Sequence, residues 1–332
     1  MRRVLVTGGA GYIGSCVVDE LVRRGHRPIV FDSFFWGKEG VEQLGNSIDM
    51  VEGDARSSRD LIYALRECDS VIHLAGIVGE PACAKNELAH FTTNVESTNT
   101  LLSCMTDPEA PLVQDLIFSS SCSVYGNVAG IFDEVSETTP TMPLSAYAQG
   151  KLRAEEAIFE CAARVPHLSP TVLRLTTIFG WSRKPRLDLV TNYFAYLALT
   201  KGQLKIFGDG LQYRSLIHVR DVANAMVTAL EAPRYLRDRQ IFHVGEEANN
   251  VTVKHLAETV QKYVPGTEIL YLEEENTDRR DYRISCNKIK NSLNWRAAYS
   301  VEDGIREMVE NLRDGKIEAT APQYWNNQFE YV

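Results

Sequence analysis

The first fourteen residues constrain this chain more than any other stretch. Arg3-Val4-Leu5-Val6-Thr7 is a short β-branched run that opens directly onto Gly8-Gly9-Ala10-Gly11-Tyr12-Ile13-Gly14. From Ser15 onward apolar residues recur at helical spacing, so the glycines stand where a strand ends and a helix begins. Glycines at 8, 11 and 14 permit a tight turn, a close backbone approach to a pyrophosphate and close packing of helix on strand. The helix N-terminus adds N–H groups that no helical carbonyl satisfies, which makes an anion site. The spacing is GxxGxxG rather than the commoner GxGxxG, so the rest of the chain has to decide what the turn holds.

A second strand over residues 27–31 ends on Asp32, eighteen residues after Gly14. A carboxylate there accepts hydrogen bonds from ribose hydroxyls and repels a 2′-phosphate, which favours NAD over NADP. Residues 48–52 form a weak strand closed by Gly53-Asp54, and a helix follows over 59–68. Ser70-Val71-Ile72-His73-Leu74 is a clearer strand, closed by Ala75-Gly76, whose small side chains let a cofactor lie against the strand end. His73, inside an apolar strand, reads as packed and internally hydrogen-bonded rather than as a catalytic base. A helix over 87–104 carries Asn94, and a strand over 112–118 runs into Ser119-Ser120-Ser121-Cys122-Ser123-Val124-Tyr125-Gly126. This alternation predicts an α/β fold, a doubly wound parallel sheet with a smaller C-terminal α/β lobe.

Residues 126–144 read as a loop, and the next helix brings Tyr147 and Lys151 four apart on one face. A strand over 170–175 follows. After Gly180 the run Trp181-Ser182-Arg183-Lys184-Pro185-Arg186 concentrates positive charge, and a helix is expected over 188–200. Strands over 204–207 and 214–218 and helices over Val219–Glu231, Val253–Tyr263 and Val301–Arg313 complete the reading. The expected division is a dinucleotide-binding domain over 1–178, with a return segment near 216–245, and a substrate lobe over 179–332.

The tyrosine and lysine have a specific use beside a dinucleotide. A lysine charge favours tyrosinate, drawing a phenol pKa from about 10 toward neutrality so that its oxygen can take a proton from an alcohol. Ser121, leaving the end of a strand, would hold the substrate oxygen. Composition narrows the partners. A net charge of −9 disfavours nucleic acid and anionic membranes. Seven scattered cysteines without a C-x-x-C pair point to a reducing compartment and no metal site. The first strand follows Met1 at once and no apolar run approaches a membrane span, so a cytoplasmic location is expected.

These residues resemble the extended short-chain dehydrogenase/reductases, especially the nucleotide-sugar epimerases and dehydratases. The likeness covers nearly the whole chain, through Thr7 to Gly14, Gly53-Asp54, His73 to Gly76, Asn94-Val95, Ser119 to Gly126 and Tyr147-x-x-x-Lys151. By that resemblance Gly8, Gly11, Tyr12, Ile13, Gly14, Asp32, Asp54, Ala55, Leu74, Ala75, Gly76, Asn94, Tyr147 and Lys151 would contact NAD, with Asp54 facing the adenine. Ser121, Tyr147 and Lys151 would be catalytic. Ser121, Ser123, Tyr147 and Thr177 would face the sugar, Arg214 would grip the substrate diphosphate, and Arg279 or Arg280 would add a second contact. Asp221 falls in a pattern of structural use, and a homodimer through the helices near Asn94 and Tyr147 is implied.

Departures from the family pattern narrow the reaction. The sugar dehydratases carry acidic residues after the catalytic hydroxyl, where this chain has Cys122 and Ser123. Thr177 stands where epimerases commonly carry asparagine, and Ser215 where aspartate is usual. The resemblance therefore implies an NAD-dependent nucleotide-sugar 4-epimerase that oxidises C4 transiently and returns the hydride. The alternatives are a nucleotide-sugar dehydrogenase or 4-ketosugar reductase, and a non-catalytic NAD-binding regulatory protein.

Overall fold

The alternating pattern folds as a doubly wound α/β body in a computed structural model that describes residues 1–107, 113–126, 134–273 and 283–328. β1 (Arg3–Thr7) leads through the glycine turn to α1 (Tyr12–Arg23), and β2 (Arg27–Asp32), β3 (Asp49–Glu52), α2 (Ser58–Leu65) and β4 (Ser70–His73) follow. The helix expected over 87–104 runs unbroken through α4 (Glu87–Phe91), a π turn at Thr92–Glu96 and α5 (Ser97–Met105), and a short α3 (Glu80–Lys85) precedes it. Asn86 separates α3 from α4: extended away from helical geometry, it caps α4 by accepting from Ala89 N–H.

β5 (Asp115–Ser121), β6 (Glu134–Val135), α6 (Ala146–Arg164), β7 (Ser169–Leu175) and β8 (Thr177–Phe179) come next. Ser145 starts α6 by accepting from Ala148 N–H. α7 (Val190–Lys201), β9 (Gln203–Phe207), β10 (Tyr213–His218), α8 (Val219–Glu231), α9 (Arg234–Arg237) and β11 (Gln240–Val244) follow. The chain continues with β12 (Asn250–Thr252), α10 (Val253–Tyr263), β13 (Glu268–Leu272), β14 (Arg283–Ile284), α11 (Asn287–Leu293) and α12 (Val301–Arg313).

Seven parallel strands lie in the order β11-β7-β5-β4-β1-β2-β3. Both faces are buried, as a parallel sheet requires. The strand period of two sends Val4 and Val6 into one layer, with Val17, Leu21 and Met226 of α1 and α8. Leu5 enters the other, with Leu61, Leu101 and Ile158 of α2, α5 and α6. Strand order reverses about β1, so a crevice opens at the strands' carboxyl ends there. A separate core of Phe179, Phe194, Leu216, Leu256 and Ile305 holds the smaller lobe. The chain nevertheless returns to the large sheet, since α8 packs on α1 and β11 pairs with β7. Asp221 is structural here, accepting from Ala298 N–H and Tyr299 N–H.

Candidate active site

Backbone geometry at the glycine turn makes a cradle. Gly8 has φ +69°, and a Cβ there would lie 2.9 Å from Ala75 N. A Cβ on Gly14 would lie 2.2 Å from Gly8 O, so only glycine lets α1 approach the strand this closely. Gly11 stands at the N-cap of α1, and its lack of a side chain leaves the first-turn N–H groups of Tyr12, Ile13 and Gly14 facing the crevice. The Tyr12 hydroxyl points away from the turn, donating to Gly180 O at 2.7 Å and so joining it to the smaller lobe.

Asp32 ends β2 at the rim of the crevice. Its carboxylate accepts from Ala10 N–H at 3.0 Å and from Phe34 N–H at 2.9 Å, which fixes its direction. Burial pushes its pKa up, opposed by those backbone hydrogen bonds and by Lys184. Asp54 and Ala55 line the same end, where Asp54 is paired bidentately with Arg56. Leu74, Ala75 and Gly76 form the opposite wall, and Thr7 Oγ1 accepts from Leu74 N–H and Ala75 N–H. His73 is internal: its two ring nitrogens contact Thr7 Oγ1 at 2.7 Å and Thr98 Oγ1 at 3.2 Å, and burial lowers it to about 3. Asn94 does not line the crevice. Its amide is spent on the backbone of Ile77, accepting at 2.7 Å and donating at 2.8 Å, so it holds the loop after β4 in shape.

The crevice continues as one cleft of about 580 Å³ to Ser121, Tyr147 and Lys151. Tyr147 packs on Ile77, Ala82, Cys83 and Ala89. Its ionisation corrects the sequence reading. Burial pushes the phenol up to about 12, with Cys83 adding to the rise while Arg186 and the hydrogen bond with Ser121 oppose it. Lys151 is not among the groups that act most on it: its Nζ donates to Ser119 O at 2.7 Å and lies 6.0 Å from the phenol ring centre, and its charge does not offset the burial. Burial pulls Lys151 itself down to about 8.

Beyond Ser121 the cleft opens into a polar annex of about 90 Å³ lined by Ser121, Ser123, Thr176, Thr177, Arg214 and Ser215. Ser123 and Arg214 border only this annex, whereas Thr177 borders both spaces. Ser123 Oγ is buried without a hydrogen-bond partner, although its own N–H donates to Ser121 Oγ at 3.1 Å. Arg214 Nη1 donates to the carbonyl of Tyr213. Arg279 and Arg280 lie outside the described residues.

The basic run of the sequence supplies two side chains that motif reading did not place in the site. Lys184, nearly buried, donates to Trp36 O and pairs with Glu39 at 3.2 Å, so it fastens the loop after β2 that borders Asp32. Arg186 is paired with Asp188 at the far end, 3.5 Å from where a Gly79 Cβ would stand. Both line the cleft. The only sequence signal for them was positive charge in a net negative chain.

A family profile described as the NAD dependent epimerase/dehydratase family matches residues 4–245. The chain belongs to this family. It is 30% identical over 328 residues to a UDP-glucose 4-epimerase of Halalkalibacterium halodurans, covering 93% of each chain. A solved UDP-glucose 4-epimerase of Thermotoga maritima, with UDP-glucose, is 29% identical, with a TM-score of 0.83 and coverage of 95% of this chain and 100% of that one. The solved MoeE5, in complex with UDP-glucuronic acid and NAD, is 27% identical, with a TM-score of 0.81 over 94% and 99%. NAD fits the cleft on its own geometry. The glycine cradle admits no Cβ at 8 or 14, free first-turn N–H groups face it, a directed carboxylate ends β2, and the volume lies within the usual range of about 300–1,000 Å³ for ligand pockets.

Proposed function

We propose that this chain is an NAD-dependent nucleotide-sugar 4-epimerase acting on a uridine diphosphate sugar. The observation that carries the reading is one continuous cleft that joins the glycine cradle and Asp32 to Ser121, Tyr147 and Lys151. The names of the relatives support the nucleotide and the reaction.

Bound NAD supplies the hydride acceptor and donor for the sugar C4 and, when oxidised, a positive charge at this end of the cleft. Tyr147 takes the C4 hydroxyl proton and gives it back when the inverted alcohol forms, so no net redox change results. Its high resting pKa keeps it protonated alone and ties proton removal to added positive charge. Ser121 hydrogen-bonds the phenol and orients the C4 oxygen. Lys151, anchored on Ser119 O, keeps its ammonium 6.0 Å from the phenol ring centre. Arg214, at the annex, holds the diphosphate while the sugar turns, a task suited to a planar guanidinium. Asp32 takes the adenosine ribose hydroxyls.

The deciding experiment incubates the protein with a panel of nucleotide sugars in heavy water and follows each by NMR. Inversion at C4 without solvent deuterium, and without added NAD, is expected. Stoichiometric NADH production or consumption would instead identify a dehydrogenase or ketoreductase. We further propose a homodimer: Leu88, on α4, and Leu144, just before α6, are 74% and 70% exposed. Light scattering at the monomer mass would refute it.

A further inference from the structure

Three successive serines end β5, and each ties it to a different point of α6. Ser119 O accepts from Lys151 Nζ, Ser120 Oγ donates to Glu155, and Ser121 hydrogen-bonds Tyr147. Tyr147, Lys151 and Glu155 follow one another at intervals of one helical turn, so they leave α6 on one face. Glu155 is 2% exposed and is held from the other side by Arg174 of β7, Nε to Oε1 at 3.0 Å and Nη2 to Oε2 at 2.6 Å. Arg174 donates in turn to the Tyr125 hydroxyl, which lies 2.6 Å from His243 Nε2 of β11. The reaction as derived does not use Glu155, and a buried ion pair is a costly way to fasten a helix that apolar packing would hold as well.

The surroundings of Lys151 give the carboxylate a task. Facing the ammonium are Tyr147 on α6, His73 on β4, Cys83 on α3, His90 on α4 and the Phe118 ring on β5. Burial holds His73 and His90 neutral and pushes the Cys83 thiol up to about 12. Burial lowers Lys151, while Cys83 and, after it, Glu155 act to raise it; with the thiol held protonated, Glu155, paired on its far side with Arg174, is the carboxylate that favours the charged lysine.

We infer that Glu155 is a positioning residue for the reaction, acting through Lys151: pinned between Ser120 and Arg174, it sets the register of α6 on the end of β5 and places its carboxylate one helical turn from the ammonium. This rests on the reading of Tyr147 and Lys151 as the reacting pair. The test uses the full-length NAD-bound protein with Glu155→Gln, which keeps shape and hydrogen-bonding reach but removes the charge. In 15N-lysine-labelled protein, with Lys151→Met assigning the signal, the Lys151 titration is expected to move down by about one pH unit. The high-pH limb of kcat, along which activity falls as pH rises through about 8, should move with it. kcat at pH 7.5 should fall about tenfold, with KM for the sugar within about twofold, and the loss should vanish in a Lys151→Met background. An unmoved Lys151 titration, or a loss fully additive with Lys151→Met, overturns the inference. Because the titration needs no turnover, it is read even if the epimerase activity fails. Should Glu155→Gln not fold, Glu155→Asp keeps the charge but shortens the reach: kcat should fall while the Lys151 titration stays, and a shift downward of about one unit would overturn the inference.

Discussion

The two ends of the cleft are built by different means. The nucleotide end is made largely of backbone: glycines at 8, 11 and 14, the Leu74 to Gly76 wall, and Asp32 aimed by two main-chain N–H groups. The end that the proposed function gives to the sugar is made of side chains from β5, α6, β8 and β10, many of them hydroxyls, and Ser123 in the turn after β5 keeps its hydroxyl unspent. A backbone cradle admits few alternatives, because one added carbon collides with it. A wall of hydroxyls can be altered residue by residue without disturbing the fold, and the proposed function places the choice of sugar at that end.

The sharpest test of this contrast separates chemistry from cofactor holding. Tyr147→Phe should lower kcat by about 10²- to 10⁴-fold while NAD affinity, read by calorimetry, stays near that of the parent; full activity would falsify the assigned role. Gly14→Ala attacks the other end. Its Cβ meets Gly8 O at 2.2 Å, so the protein should lose NAD binding and about 1–3 kcal/mol of stability, and unchanged binding would break the account of a cradle without slack. Lys184→Gln tests whether the smaller lobe helps retain the nucleotide. Losing the tie to Trp36 O and Glu39 should speed NAD release about tenfold in a dilution assay, with charge-assisted hydrogen bonds of about 1.5–3 kcal/mol partly offset by the exposure of Glu39. An unchanged release rate would confine retention to the large sheet. The smallest effect is expected at the annex. Ser123→Ala should raise KM about two- to tenfold with kcat unchanged, as one neutral hydrogen bond of about 0.5–1.5 kcal/mol allows, and no change in KM would remove Ser123 from the substrate's path.

Much of the nucleotide end was legible in the sequence. The turn from Gly8 to Gly14, Asp32 and the Leu74 to Gly76 segment announce themselves through contiguous spacing, and Gly8, Gly11, Tyr12, Ile13, Gly14, Asp32, Leu74, Ala75 and Gly76 line the cleft. For Asn94, a motif position does not say where an amide points, and this one is spent on the backbone of Ile77. The short α3 escaped periodicity because it has only six residues before Asn86 ends it and caps the expected helix. Lys184 and Arg186 carried only a charge signal, and their placement depends on Gly180 being joined to Tyr12 across the lobes.

By itself the sequence determined the parallel sheet, the dinucleotide turn and the spacing that sets Tyr147 and Lys151 on one helical face, because these follow from local sterics and from the periods of strand and helix. The tertiary structure alone decided the state of the reacting groups. Burial raises Tyr147, the carbonyl of Ser119 captures Lys151, and Ser120 and Arg174 hold Glu155 between two strands. Ionisation depends on what surrounds a side chain in three dimensions, and no spacing along the chain encodes the depth at which it is packed.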